Sequence, residues 1–268
     1  MTIDAPQAFS VPYDPAPYVP RLPVPDATPL PVLDEAVAEL RAAAEAWVRT
    51  SPKRKLALLE EVMRATLPLI NEWTRLGSLH EVLDPTGQDA AEETIVGPYI
   101  LLRGLRLHRD AVASIIRDGT PRIPGGARVL ANGRVAARVM PHDLLDRVAY
   151  LRMHADVWME PGVTLDELPQ TMATAWRTPP PGRVCLVLGA GNASSIGPLD
   201  AIHKLFVEQQ VVILKLHPVM AHLADVQARA LAPLVREGVL RIVHGDAAQG
   251  THLVHHPGVD TLHITGSD

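Results

Sequence analysis

Residues 183–219 read RVCLVLGAGNASSIGPLDAIHKLFVEQQVVILKLHPV, and residues 238–267 read GVLRIVHGDAAQGTHLVHHPGVDTLHITGS. Within them lie four short runs rich in Val, Ile and Leu: Val184–Leu188, Val211–Leu214, Leu240–Val243 and Leu262–Thr265. Helix-length segments separate the runs. Apolar runs of this length, joined by crossovers, are the sequence form of parallel strands buried on both faces. The predicted fold class is therefore α/β, with an open parallel, Rossmann-like sheet and flanking helices. The first run ends in Gly189-Ala190-Gly191-Asn192, where small side chains let a ligand approach the backbone.

Working outward, the chain upstream reads as scaffold. Met1 to Pro31 is dense in proline, which lacks the amide hydrogen of helix or ladder bonding, so an extended arm is expected. From Val32 the spacing becomes helical: Leu33, Val37, Leu40, Ala44 and Val48 share one face. Ser51 is the expected N-cap of a second helix with Leu56, Leu59, Val62, Met63 and Leu67 inward. A third helical region is expected over about 89–117. Asn132-Gly133 between two β-prone arms predicts a hairpin, and 148–159 reads as a further strand. Such a ribbon must cover its edges, and pairing with another subunit is one solution. A short helix is expected over 165–176, stopped by Pro179-Pro180-Pro181-Gly182. The domain reading is thus an arm at 1–31, a helical region with β ribbon at 32–181, and a nucleotide-binding-type α/β segment at 182–268.

Composition excludes several classes of function. A chain of 268 residues, 47% of them hydrophobic, buries a real core. A formal net charge of -5 argues against a binder of nucleic acid backbones. The single cysteine, Cys185, permits no intrachain disulfide and fits a reducing compartment. The first ten residues lack the basic and apolar regions of a signal peptide, and charges interrupt every long apolar run. A cytoplasmic protein without a membrane anchor is the expectation.

Gly189-x-Gly191-x-x-Ser194 is only half of a dinucleotide fingerprint. The third glycine is replaced, and the second strand ends in Lys215-Leu216-His217-Pro218 with no acidic residue. Three features taken together say more. Asn192 follows the first strand, Lys215 ends the second, and Thr265-Gly266-Ser267 follows the last. In an open parallel sheet the C-terminal strand ends line one crevice, so these residues are expected to face one ligand.

In that order, the strand with its asparagine, VVILK, GD with the later HPGVD, and ITGS resemble the cofactor-binding half of the aldehyde dehydrogenase superfamily. The resemblance covers roughly residues 182–267. It implies that the Asn192 amide helps stabilise the oxyanion formed when a thiol attacks an aldehyde. It implies that Lys215 holds the adenosine ribose, with His217 beside it, and that Gly245 lets the backbone approach the adenine. It also implies that Thr265, Gly266 and Ser267 stand near the pyrophosphate, at a helix N-terminus. NAD or NADP is the implied cofactor, and a small-molecule aldehyde the implied substrate.

The sequence departs from the family pattern at three places. Ala190-Gly191 replaces a Pro-Trp pair, and Pro218 stands where many members place a ribose-chelating glutamate. Loss of that carboxylate removes repulsion against a 2′-phosphate, so NADP is as acceptable as NAD. The chain ends at Asp268, just after ITGS, whereas the family's glutamate base and catalytic cysteine lie further on. Cys185, flanked by Val184 and Leu186, reads as a core residue of poor nucleophilicity. The expectation is a cofactor-binding portion, inactive alone, assembled as a homo-oligomer or on a C-terminal catalytic half. The rival reading is a noncatalytic nucleotide-binding or assembly module on the same fold. An ordinary Rossmann dehydrogenase with an unusual fingerprint is a weaker third.

The histidines offer a competing chemistry. His252 and His256 have helical spacing for a shared metal ion, but no cysteine or acidic partner completes a recognisable set. They read as solvated surface histidines, and no metal site is expected.

Overall fold

The computed structural model describes residues 22–266, so most of the proline-rich arm, and Ser267, lie outside the described residues. Helix α1 (Leu30–Arg49) buries Leu33, Val37, Leu40, Ala44, Trp47 and Val48, the face that the spacing predicted. The Ser51 side chain accepts the Arg54 amide and caps α2 (Pro52–Thr66). Leu58, Leu59 and Val62 form the buried face of α2, with Lys55 beside them. Leu67 is 54% exposed, contrary to expectation. Its amide still donates to the Met63 carbonyl, so it keeps the register of α2 and falls on the half-buried flank of Leu56 and Met63 rather than on the buried line through Leu59, Val62 and Thr66.

A helix that the apolar pattern did not mark, α3 (Ile70–His80), follows and buries Trp73 and Gly77. The expected long helix near 89–117 is divided. A turn at Ala90–Thr94 and a wide-turned segment at Ile95–Tyr99 precede α4 (Ile100–Asp118). Gly97 adopts φ -103 and ψ -107, outside the helical region, and Pro98 removes a donor, so the helical ladder is broken there.

The hairpin forms where the sequence placed it. Strands β1 (Ala127–Val129) and β2 (Val135–Met140) are antiparallel, Gly133 takes φ 81, and the Asn132 side chain accepts the Arg134 amide at 3.1 Å. The strand expected over 148–159 is mostly something else. Asp143 caps a short helix, α5 (Leu144–Ala149), by accepting the Asp146 amide. Only β3 (Ala155–Trp158) pairs, antiparallel to β2. The helix expected over 165–176 is two single turns, separated by Ala173 at φ 51.

The parallel sheet contains β4 (Val184–Leu188), β5 (Val211–Lys215), β6 (Leu240–Val243) and β7 (Thr261–Ile264), in the order β6-β5-β4-β7. Helix α6 (Ile196–Phe206) crosses from β4 to β5. Between β5 and β6 lies α7 (Ala224–Ala230), and between β6 and β7 lies α8 (Ala247–Val254). Val184–Val187 and Val211–Leu214 are fully buried, which explains their unbroken apolar character. Truncating Leu186, Ile213 or Leu214 to alanine costs about 2–5 kcal/mol. One continuous core joins α1, α2, α4 and the sheet, and α1 and α6 both pack on β5. No helix among the described residues is long and apolar enough to cross a membrane.

Candidate functional site

Beyond the C-terminal ends of β4 and β5 opens a cleft of about 360 Å³, lined by Gly189, Lys215, His217, Asp246, Gly250 and Ile264 among others. Two other hollows are larger. One of about 890 Å³ lies between residues 22–25 and Glu72, Arg75 and Asp225, and an apolar one of about 430 Å³ lies between α2, α4 and α5. The strand-end cleft is the better candidate because crossovers of a parallel sheet leave ligand-facing backbone there.

Lys215 ends the fully buried strand β5 and is only 6% exposed. Its ammonium donates to the Gly245 carbonyl at 2.7 Å and, at 3.5 Å, to the Leu216 carbonyl. An ammonium has three donors, so one remains for a ligand hydroxyl. Burial pushes the Lys215 pKa down, and the nearby Asp246 carboxylate opposes that shift. Two glycines shape this corner. Gly245 takes φ 135, which points its carbonyl at the lysine, and a Cβ at Gly250 would touch the Lys215 Cε at 3.6 Å.

His217 uses Nδ1 to accept the Val219 amide at 3.2 Å. Its ring lies against Gly191, where a Cβ would come within 2.7 Å of Nδ1. The Gly189 amide donates to the Lys215 carbonyl at 2.9 Å, drawing the β4 loop to the end of β5. The structure therefore brings Lys215, His217 and Gly245 together. Thr265 donates to Asp200 Oδ2 at 2.8 Å and lies 3.3 Å from His263 Nε2. Gly266 follows with open space around it, and Ser267 lies outside the described residues.

Asn192 lies elsewhere. It is exposed, and it lines a pit of about 20 Å³ with His80, Glu93 and His222, room for a single water. The loop carrying it is tightly held. Trp73 Nε1 donates to Ser194 Oγ at 2.9 Å, Gln227 Nε2 donates to the Ser194 carbonyl at 2.9 Å, and Ser195 Oγ donates to the Val96 carbonyl at 2.5 Å. Burial raises the Glu93 carboxyl, reinforced by Glu81 and Glu92. Burial, with His80 behind it, pushes His222 down to about 4.

Sequence reasoning missed Asp246, His80, Glu93 and His222. Asp246 carried a readable signal, since Asp with Gln249 three positions on is the pattern of a capping box, and that box forms at the start of α8. The others come from α3 and from turns with no local motif. Cys185 is fully buried in β4, and burial raises its thiol pKa, as expected of a core residue.

No family model matches the sequence, and no curated protein matches it. Solved structures match over nearly the whole chain. One is aldehyde dehydrogenase C of Pseudomonas syringae, solved as a mutant with NAD+ and octanal, at 17% identity and TM-score 0.52, covering 89% of this chain and 38% of that one. Another is the aldehyde dehydrogenase KauB of Pseudomonas aeruginosa, at 14% identity and TM-score 0.54, covering 88% and 38%. A third is the glyceraldehyde-3-phosphate dehydrogenase GapN of Methanocaldococcus jannaschii with NADP, at 10% identity and TM-score 0.55, covering 91% and 43%. At these identities the likeness defines a fold and nothing more: the chain has the fold of part of an aldehyde dehydrogenase. It spans about two fifths of the length of these enzymes.

Proposed function

We propose that this chain supplies the NAD(P)-binding portion of an aldehyde dehydrogenase-like oxidoreductase. The observation that carries the reading is the strand-end cleft, where Lys215, His217 and the Gly245 backbone meet beside Gly189. Its chemistry fits a nucleotide. Gly189 and Gly250 leave the cleft floor open, and the remaining Lys215 donor suits a ribose hydroxyl. Lys215, His217 and Gly245 would hold the adenosine side, and Thr265, Gly266 and Ser267 the pyrophosphate side. When bound, the nicotinamide supplies a hydride acceptor. The role of this chain is to bind and orient. Asn192 would offer its amide to an oxyanion, from a loop fixed by Trp73, Gln227 and Ser195. The nucleophilic thiol has to come from outside the described residues, because Cys185 is sealed in the sheet.

Titration of the chain with NAD+ and NADP+ tests this reading. Binding of either, weakened roughly tenfold or more by Lys215→Met and little changed by Asn192→Ala, is the expected outcome. Absence of binding by both nucleotides would sink it. The second reading, a noncatalytic module on the same fold, is favoured by one observation. Lys215 already spends two donors on backbone carbonyls, so the lysine is partly satisfied without a ligand.

A further inference from the structure

We propose that Asp34, His252 and His256 form a binding site for a divalent transition-metal ion of the zinc or nickel type, joining α1 to α8. The sequence showed no recognisable ligand set around the two histidines, and the fold supplies an acidic partner from the start of α1. His252 Nε2 lies 2.6 Å from Asp34 Oδ1, and His256 Nε2 lies 3.4 Å from the same oxygen. All three ligand atoms fall within 4.8 Å of one another. The imidazoles meet edge to face, with centroids 5.8 Å apart and planes at 64°, so their nitrogens converge without the rings stacking. For an ion about 2.0–2.2 Å from each ligand the Asp34 carboxylate, 2.6 Å from His252 Nε2, has to swing outward.

The scaffold is rigid and the site is open. Arg41 Nη2 donates to the Gly258 carbonyl and to Asp260 Oδ1, both at 2.9 Å, which ties α1 to the turn after α8. Gly258 packs so closely on α1 that a Cβ there would come within 2.6 Å of Val37 Cγ1. The side chains of Asp34, His252 and His256 are 52%, 29% and 16% exposed, so an ion can enter and water can complete its shell. Two imidazoles and one carboxylate suit zinc, nickel or cobalt, whereas magnesium and calcium prefer all-oxygen shells.

One contact limits the affinity. His256 Nδ1 accepts the Gly258 amide at 2.9 Å, so the neutral ring carries its proton on Nε2, facing Asp34. An ion at Nε2 moves that proton to Nδ1, and the Gly258 amide loses its acceptor. Metal binding at His256 therefore carries the cost of that lost hydrogen bond. Helix α8 also lines the strand-end cleft with Ala247 and Gly250, so a bound ion would stiffen one wall of it. The site itself depends on no reading of that cleft.

The test is calorimetric titration of the tag-free, chelator-stripped chain with zinc chloride, alongside the visible absorption of added cobalt. One zinc per chain is expected, with Asp34→Asn, His252→Ala and His256→Ala each weakening it roughly tenfold or more. His255→Ala should leave binding unchanged, and magnesium should give no heat. No zinc binding, or binding that survives His252→Ala or depends on His255, would overturn the site. Thermal melts show whether each variant is folded. For one that is not, the wild-type chain decides: added cobalt whose visible d–d bands stay those of the aqueous ion, together with no heat from zinc, refutes the assignment.

Discussion

Between α3 and α7 the His222 ring lies against that of His80, centroids 4.0 Å apart and planes 12° from parallel. His222 Nδ1 faces the Val219 carbonyl at 3.0 Å, so Nδ1 carries the proton and Nε2 is a buried lone pair without a partner. Charging this ring would place a cation in the core beside another histidine. Its folded pKa of about 4 lies below the ordinary value of 6.5. Between those values the unfolded chain binds more protons than the folded one. The contribution of His222 is thus complete above pH 6.5 and is lost as pH falls towards 4. We expect denaturant melts to show the wild type losing up to about 3 kcal/mol more than His222→Phe over that interval. Parallel pH profiles for the two proteins would refute the account.

Among the elements, α8 is where capping and site coincide. The Asp246 side chain accepts the Ala248 amide at 2.8 Å, and the Gln249 side chain answers by accepting the Asp246 amide at 3.1 Å. Asp246→Ala should cost about 1 kcal/mol of stability by chemical denaturation, the usual worth of such a cap. Asp246→Asn, which keeps a capping oxygen, should cost much less. Equal losses would show that the charge matters and the cap does not. Elements with strong local signals were legible in the sequence: α1 from its spacing, the hairpin from Asn132-Gly133, and β4, β5, β6 and β7 from unbroken apolar runs. Helix α3 was not, because its buried residues, Trp73, Gly77 and Ser78, include only one large apolar side chain. Lys55 was not legible either. It reads as part of a polar helix surface, yet the fold buries it with its ammonium 4.6 Å from the Trp47 ring centroid and 5.3 Å from that of Trp176.

At the scale of the whole molecule, apolar side chains gather outside the core. Leu144, Leu145, Val148, Leu151 and Met153 are 61–75% exposed on and just after α5, next to the apolar hollow lined by Met63 and Leu67. A cluster of this kind is of the type that subunit contacts cover. We expect the chain to run as a dimer or larger on light-scattering chromatography, and Leu145→Asp with Val148→Asp to shift it towards monomer. A monomeric wild type would refute this.

The sequence by itself determined the parallel sheet, the α/β class and the positions of Lys215 and Asn192 at strand ends, because burial on two faces and strand termination are written in local composition. Tertiary structure decided what those residues meet. It joined Lys215 to Gly245 across 30 positions, set Asn192 in a separate pit, and brought Asp34 to His252 and His256 across more than 200. Such pairings depend on how helices dock on the sheet, and a linear pattern that records only which face is buried does not contain them.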